Sequence, residues 1–235
     1  MKVAVVQPYI FPYIGYFQLI YDVDAFVFYD DVNFIKGGWI NRNKILSNTA
    51  STLISIPCIK ASQNKLINEI EINKASKDYS KILNTIEFSY KKAPYFDSVF
   101  PMVESVLNGN STLISELAID SIQQVSNYLD IDTKFYISSE DFSESKGLER
   151  ADRLIHITKR LGADVYVNPT GGKALYDKAY FKSKDITLQF IESSQEITYQ
   201  QGKLKEFVPW LSIIDVLMYN SKEEAHLLLT KYQLV

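Results

Sequence analysis

The sequence predicts an α/β protein with a mainly parallel, Rossmann-like sheet, flanking helices and a helical insertion. Three observations predict this class. Short apolar runs of the kind that form buried parallel strands alternate with segments of helical periodicity at both ends of the chain. The N-terminal segment has the order strand, loop, helix and strand, which favours a right-handed parallel crossover. Within residues 78–130 the periodicity is only helical, which indicates the insertion.

The N-terminal unit begins with the apolar run Val3 to Val6, which ends shortly before a proline that cannot donate to a sheet ladder. A helical pattern follows at residues 13–21, and a second apolar run extends from Phe26 to Tyr29. In parallel sheets, ligands bind at the carboxyl ends of the strands. We therefore expect the loops at residues 7–12 and 30–33 to lie at the ligand-binding edge.

The rest of the chain continues this alternation. Strands are predicted at residues 52–57, 134–137, 164–167 and 187–191. Helices are predicted at residues 148–161, 211–218 and 223–229, with three more between residues 78 and 129. The Gly37-Gly38 pair predicts a hairpin or bent loop that leads into a polar run at residues 41–44. Because single cores grow to roughly 250 to 300 residues, we expect one α/β domain over residues 1–235, with residues 78–130 as a helical subdomain.

Composition narrows the class of protein. The 235 residues are 46% hydrophobic and 23% charged, which supplies a full core. The formal net charge of -3 argues against a nucleic-acid partner, because such proteins concentrate a basic surplus on one face. No apolar run approaches the roughly 20 residues of a transmembrane helix, and the single cysteine suits a reducing compartment. We therefore expect a cytoplasmic protein without a transmembrane segment. No metal site is predicted, because Cys58, His156 and His226 lack ligand spacing.

The first candidate site is the loop at residues 7–17, where a predicted strand turns into a helix. Two prolines and a glycine indicate a fixed backbone path, and a helix N-terminus offers its amides to a phosphate group. The pyrophosphate of a nucleotide or nucleotide sugar would fit there, and a rigid aromatic turn is an equal alternative. The substrate-binding candidates in this loop are Gln7, Tyr9, Tyr13, Gly15 and Tyr16.

The segment Tyr13-Ile14-Gly15-Tyr16 has the spacing of the HxGH motif that begins the first helix of nucleotidyltransferases and pantothenate synthetase, which it resembles locally. In those families the histidines steady the triphosphate during adenylyl transfer. Both histidines are replaced by tyrosine here. The replacement argues against ATP and magnesium as cofactors but is compatible with a nucleotidyltransferase-like fold.

The second candidate site follows the predicted strand that ends at Tyr29. Its adjacent carboxylates, Asp30 and Asp31, are the catalytic candidates, because a carboxylate at a strand end could accept sugar hydroxyls, act as a general base or hold a divalent ion. The cations that follow could bind phosphate, and the tryptophan offers a face to a sugar ring or a base. Solvated loop charge is the alternative. The substrate-binding candidates here are Asn33, Lys36, Trp39, Asn41, Arg42 and Asn43.

The third candidate site is the turn after the predicted strand at residues 164–167. Consecutive glycines permit the close approach of a ligand, and exposed amides could bind an anion, although the spacing of a P-loop is absent. A structural turn is an equal alternative. If this strand neighbours the first strand, the three candidate sites converge on one cleft. The substrate-binding candidates of the turn are Asn168, Gly171, Gly172 and Tyr176.

Three single residues also attract attention. We expect Cys58, after a proline, to be a small buried thiol, and His156 to be hydrogen-bonded and partly buried. Asp215 lies among apolar residues of a predicted helix, so its carboxylate must either pair with another group or face a cavity.

Five strings, in order and across nearly the whole chain, resemble the WbqC-like family. They are QPYIFPYIGYF, YDDVNFIKGGWINRN, YKKAPYF, YVNPTGGKALYD and LSIIDVLMYNS. That family is associated with gene clusters for O-antigen and other surface glycans, and some members are described as glycine transferases. It often has tryptophan where Tyr13 stands. Its pattern corresponds here to Gln7, Pro8, Gly15, Tyr16, Asp30, Trp39, Asn41, Arg42, Asn43, Tyr95, Gly171 and Tyr176.

The resemblance implies a transferase of bacterial surface polysaccharide biosynthesis. We expect acyl or aminoacyl (glycyl) transfer from an activated acyl donor to the amino group of a nucleotide-linked amino sugar. ATP-dependent amide ligation through an adenylate is the catalytic alternative. A non-catalytic partner of a polysaccharide-assembly complex is the alternative of another class. The sequence leaves the formation of a homodimer open.

Overall fold

A computed structural model describes residues 1–47 and 50–235, and within these ranges the chain forms a six-stranded and a two-stranded sheet with helices on both faces of the larger one. The strands are β1 (Lys2–Val6), β2 (Ala25–Phe28), β3 (Arg42–Ser47), β4 (Ala50–Ser55), β5 (Lys134–Ile137), β6 (Val165–Pro169), β7 (Thr187–Ser193) and β8 (Tyr232–Leu234). The helices are α1 (Ile14–Asp22), α2 (Lys77–Tyr90), α3 (Phe96–Asn108), α4 (Ile114–Tyr128), α5 (Ser138–Asp141), α6 (Arg150–Arg160), α7 (Lys178–Lys182), α8 (Ile213–Tyr219) and α9 (Lys222–Leu229).

The larger sheet has the strand order β5-β2-β1-β6-β7-β8, and its first five strands are parallel. Only β8 runs antiparallel, at the edge beside β7. The chain leaves β1 towards β2 and β5 and then returns to β6 on the other side of β1. The strand order therefore reverses between β1 and β6, and such a switch point is the usual ligand site in open α/β sheets. The predicted α/β class with a mainly parallel sheet is confirmed.

Alternation along the central strands divides the core into two layers. Ala4 of β1 and both phenylalanines of β2 face a large cluster with α1, α4, α8 and α9. Val3 and Val5 face the opposite cluster, which α6 and α7 cover. Much of the aromatic content lies in the first layer, where the Phe28 ring stacks on Phe135 with centroids 5.2 Å apart. The central strands are thus packed against helices on both faces.

The helical region predicted at residues 78–130 consists of α2, α3 and α4, as expected. These helices pack against one another and, through α2 and α3, against β3 and α8. The Ser76 hydroxyl caps α2 by accepting a hydrogen bond from the Asp78 amide at 3.1 Å. Whether this region is a separate subdomain stays a prediction.

Two strands depart from the sequence-based prediction. The polar run at residues 41–44 is the start of β3, because Asn43 and Ile45 point inward while Arg42 and Lys44 point outward. The strand β8 has only three residues, too few for a periodic pattern. Within the described ranges, no helix has the length and apolarity needed to cross a bilayer.

Candidate functional site

All three candidate sites lie at the same edge of the large sheet. Because β1, β2, β5, β6 and β7 are parallel, the residues that follow them emerge together at the carboxyl edge. Gln7 follows β1, Asp30 lies two residues beyond β2, and Asn168 is the next-to-last residue of β6. The strand pairing between β1 and β6, on which the expected convergence depends, is present.

The loop from Gln7 to Pro12 has the fixed backbone path that its prolines predict. Asn43 Nδ2 donates to the carbonyl oxygens of Ile10 and Phe11, at 3.0 and 2.5 Å. The Phe11 amide donates to Ser121 Oγ at 3.0 Å, and Phe11 adopts a left-handed φ of 40°. A non-glycine residue holds such a backbone only when its surroundings impose it. The start of α1 is therefore fixed in space.

The N-terminus of α1 is open, because no side chain caps it. A Cβ atom at Gly15 would overlap the far end of the Tyr13 ring, so glycine allows this ring to lie against the helix start. Burial raises the pKa of Tyr13 and also that of Tyr16, so both phenols are neutral near pH 7. Tyr16 packs internally and donates from its hydroxyl to the Gln7 carbonyl at 3.1 Å, while Tyr9 packs edge-on to it.

Two cavities adjoin at this helix start. The larger, which we name the aromatic cavity, has a volume of about 210 Å³. The smaller, the edge cavity, has about 100 Å³ and reaches Gly15, Pro169 and Thr170. The two share Tyr13, Ser193, Gln195 and Trp210. Together they occupy the carboxyl ends of β6 and β7 beside α1, at the switch point of the sheet.

Sequence reasoning missed the segment at residues 193–211 that forms much of the aromatic cavity. This segment has no helical or strand periodicity beyond the end of β7, so a periodic pattern does not reveal it. The available signal was Trp210, one of only two tryptophans. Trp210 is 62% exposed, adopts a φ of 61°, and places its ring 5.7 Å from that of Tyr13.

Asp215 fixes this segment through hydrogen bonds from Tyr199 and Gln201. Its buried carboxylate accepts hydrogen bonds from Tyr90 Oη at 2.9 Å, Tyr199 Oη at 2.7 Å and Gln201 Nε2 at 2.8 Å. Burial raises the pKa of Asp215, and the three donors oppose this rise. The expectation that Asp215 pairs with other groups is met, and its partner Tyr199 lines the aromatic cavity.

Asp30 and Asp31 are both buried and engaged by protein donors. Asp30 lies within hydrogen-bond distance of Asn68 Nδ2, Ser138 Oγ and both the amide and the hydroxyl of Ser139. Asp31 accepts from Ser138 Oγ and from Arg153 Nη2, each at 2.5 Å. Both carboxylates are turned into the protein, where α5 supplies donors to both and α6 supplies one to Asp31. Their catalytic roles stay predictions.

The three candidate sites do not line one cavity, and their convergence on a single cleft stays a prediction. Asp31 lines a third cavity of about 320 Å³, which we name the Asp31 cavity. The physical reason is the strand order: β2 and β5 lie on the opposite side of β1 from β6 and β7. The residues that line the Asp31 cavity are Asp31, Leu66, Asn68, Glu69, Ser139, Ser143 and Lys146.

The double-glycine turn meets the Asp-rich turn on the α6 face of the sheet. Burial raises the pKa of Tyr176, the nearby Tyr29 adds to the rise, and Arg150 opposes it. The guanidinium of Arg153 lies 4.8 Å from the centroid of the Tyr29 ring. Tyr29, which follows β2, and Tyr176, which follows β6, both pack against the buried cluster on this face.

The Asn168 side chain fills the space inside the double-glycine turn. A Cβ atom at Gly172 would overlap the Asn168 amide, which donates to the Pro169 carbonyl and accepts from Tyr166 Oη at 3.1 Å. The close approach that glycine permits here is thus used within the turn. Gly171 is exposed and has open space around it.

The remaining candidates lie at residues 33–42, in the loop before β3 and at the start of β3. Asn41 Nδ2 donates to the Ile56 carbonyl at 2.8 Å, and Arg42 Nε donates to the Gly38 carbonyl at 2.6 Å. Trp39 is half exposed and has Arg42 and Lys44 5.7 Å from its ring. Asn33 and Lys36 are exposed, and their contact with substrate stays a prediction, as does that of Asn41, Arg42 and Trp39.

The two other single residues named from the sequence are Cys58 and His156. Burial raises the pKa of the Cys58 thiol to about 11, so the thiolate nucleophile is scarce near pH 7. His156 is partly buried and lies 3.4 Å from Glu144. Within residues 1–47 and 50–235, no cluster of three or more His, Cys, Asp and Glu side chains is arranged to hold a metal ion.

Comparisons with known proteins agree with the resemblance seen in the sequence. The WbqC-like protein family matches residues 7–227. The chain is 29% identical over 227 residues to the uncharacterized protein Rv1507c of Mycobacterium tuberculosis, and the match covers 95% of each chain. No solved structure shows significant similarity.

Proposed function

The chain belongs to the WbqC-like protein family, and from this membership and its carboxyl edge we propose that it is a transferase of bacterial surface polysaccharide (O-antigen) biosynthesis. It transfers an acyl or aminoacyl unit, such as glycyl, to the amino group of a nucleotide-linked amino sugar. The observation that carries this proposal is the pair of adjoining cavities at the β1–β6 switch point, beside the open N-terminus of α1.

The order of features along the sheet edge supports this class of substrate. A nucleotide-linked sugar is elongated, with base, pyrophosphate and sugar in line. The aromatic cavity lies at β7, the edge cavity and the α1 N-terminus lie at β6 and β1, and the Asp31 cavity lies at β2 and β5. Strands are spaced by about 4.8 Å, so the ends of β6 and β2 are roughly 10 Å apart. One extended ligand can therefore follow the edge.

The pyrophosphate would bind at the start of α1. The backbone amides of Ile14 and Gly15 belong to the first turn, whose amides have no intrahelical acceptor. The helix dipole adds a favourable field for an anion. Both residues line a cavity, Ile14 the aromatic one and Gly15 the edge one.

The sugar amine would react at the β2 end of the edge. Its nitrogen attacks the carbonyl carbon of the donor, a carbon–nitrogen bond forms, the bond to the leaving group breaks, and the nitrogen releases one proton. Of the two catalytic candidates we favour Asp31 as the proton acceptor. Ser138 Oγ has one proton and lies nearer to Asp31 than to Asp30. A carboxylate has about four acceptor positions; three donors then approach Asp30 and two approach Asp31. Positioning then supplies much of the acceleration.

A second candidate function is ATP-dependent amide ligation through an adenylate. The observation that favours it is the segment Tyr13-Ile14-Gly15-Tyr16, which begins α1 beside the edge cavity, where a triphosphate could bind as well as a pyrophosphate. This function requires ATP and releases pyrophosphate, whereas the transfer reaction proceeds without ATP. If the protein is a ligase, labelled pyrophosphate should exchange into ATP only in the presence of the carboxylic acid that is to be joined to the sugar amine.

The proposed transfer predicts a specific product. Purified protein, incubated with nucleotide-linked amino sugars and activated acyl or glycyl donors, should yield a nucleotide sugar heavier by one acyl unit, as read by mass spectrometry. The N-acetylated form of the same sugar should give no product, because its nitrogen is no longer nucleophilic. Failure of every pair, with and without ATP, would contradict both enzymatic proposals and favour the non-catalytic partner.

Gly15 offers a test of the binding geometry in the same assay. Gly15→Ala should lower kcat/KM about tenfold, a loss of about 1.4 kcal/mol, because its methyl group pushes the Tyr13 ring into the cavities. The displaced atoms are the far end of a side chain, so the melting temperature should change little. Gly15→Ser places a larger side chain at the same position and should lower kcat/KM at least as much. Unchanged kcat/KM in both variants would contradict this steric account.

A further inference from the structure

We propose that the aromatic cavity binds the heterocyclic base of the nucleotide, beside the contacting rings of Tyr13 and Trp210. The nucleotide is the one attached to the sugar if the proposed function holds, and this identity alone rests on that function. A base followed by phosphate is the chemistry common to a nucleotide sugar and to ATP.

The lining suits a flat ring that carries polar atoms on its rim. Rings of Tyr13, Tyr199, Phe207 and Trp210 surround the cavity, and Tyr199 and Phe207 pack edge-on with centroids 5.1 Å apart. Aromatic walls favour a planar π-system that is stacked or placed edge-on. The polar lining consists of Ser193, Ser194 and Gln195. Hydrogen-bonding groups at one side of an apolar pocket fix the orientation of its ligand.

The position of the cavity is the second argument. It shares four lining residues with the edge cavity, which reaches Gly15 at the start of α1. A base in the aromatic cavity would therefore have its phosphates directed to the helix N-terminus. An acyl chain would satisfy the apolar walls but would make no hydrogen bond to Ser193 or Gln195, and it has no charge to place at α1.

The wall that carries Trp210 is built to stay in place without ligand. Gln201 donates to the Val208 carbonyl at 3.0 Å and accepts from the Val208 amide at 2.8 Å, and it also donates to buried Asp215. These bonds close the segment between Tyr199 and Trp210 into a fixed loop. The left-handed φ of 61° at Trp210 is a conformation that a bulky residue keeps only when its neighbours impose it.

The two tryptophans allow a direct test by fluorescence. Trp39→Phe leaves Trp210 as the single tryptophan, and Trp210→Phe leaves Trp39. Titration with UDP, dTDP, GDP and ATP with magnesium should quench Trp210 with at least one nucleotide, because a base would stack near the indole. The nucleotide with the lowest Kd identifies the source. The same titration of the Trp39 reporter should cause little change.

A matched pair of variants tests the polar side. In the Trp39→Phe background, Gln195→Ala should raise the Kd about tenfold, the loss expected for one good hydrogen bond to a ligand. Glu196→Ala alters the adjacent exposed residue and should leave the Kd unchanged.

Three outcomes would overturn the base site. They are quenching of Trp210 by a sugar phosphate or acyl donor that lacks a base, quenching of Trp39 alone, and no quenching of Trp210 by a nucleotide whose sugar derivative the protein acylates. The last result would leave the proposed function intact. Quenching of Trp210 without any acylated product would support the base site while the transfer reaction fails.

Discussion

Replacement of Arg153 by methionine is expected to lower the free energy of unfolding by about 3 to 5 kcal/mol, the cost of breaking a buried ion pair from one side. Arg153 is 4% exposed and Asp31 is 6% exposed, and the guanidinium contacts the carboxylate at 2.5 Å. The variant leaves the Asp31 carboxylate buried beside a single donor, Ser138 Oγ. Urea unfolding followed by circular dichroism measures the loss.

The double variant Asp31→Asn/Arg153→Met is the control for this prediction. It removes the unpaired charge and should recover much of the lost stability, because buried ion pairs can often be exchanged for neutral groups at little cost. A single variant that loses less than about 1 kcal/mol would show that the pair is solvated as at a surface. In that case the end of β2 would not have the rigidity that the site requires.

Replacement of Asp215 by alanine is expected to have the second large effect, a loss of about 3 to 5 kcal/mol in the free energy of unfolding. Tyr90, Tyr199 and Gln201 would each keep a buried donor without its acceptor, and each such group costs about 1 to 3 kcal/mol. The segment that carries Trp210 should loosen as well. We expect a lower fluorescence anisotropy of Trp210 in the Trp39→Phe background, together with a loss of nucleotide binding. Unchanged anisotropy and unchanged binding would show that Asp215 does not support the cavity.

The pH dependence of the unfolding free energy provides a further prediction for Asp215. The pKa of Asp215 is raised in the folded protein, so the native state binds this proton more tightly than the unfolded state. Its contribution to stability is present below the unfolded pKa, about 3.9, and is lost as the pH rises through the folded pKa. Asp215→Asn should lack this decline in unfolding free energy. An identical decline in Asp215→Asn would assign it to other groups.

Periodicity predicted the sheet well because buried parallel strands are continuous apolar runs. The runs at β1 and β2 meet this description, and they form strands within one residue of the predicted bounds. In β3 the outward positions are Arg42 and Lys44 and an inward position is Asn43, so its hydrophobic signal is too weak. The carboxyl-edge location of the candidate loops followed from the parallel strands alone.

The burial of the candidate carboxylates could not be predicted in this way. Asp31 is engaged by Ser138 and Arg153, which lie 107 and 122 residues further along the chain. No local pattern reports such partners. The segment that carries Trp210 is irregular, and it is fixed by the hydrogen bonds of Tyr199 and Gln201 to Asp215, which also accepts from distant Tyr90.

Hydrogen exchange with and without a nucleotide-linked amino sugar tests most directly where the ligand binds. The account predicts slower amide exchange at residues 13–17 and 193–211, around the aromatic and edge cavities. It predicts no such protection at residues 36–44, which carry Trp39 and Arg42. Protection confined to residues 36–44, or to the lining of the Asp31 cavity, would contradict the placement of the nucleotide at the β1–β6 switch point.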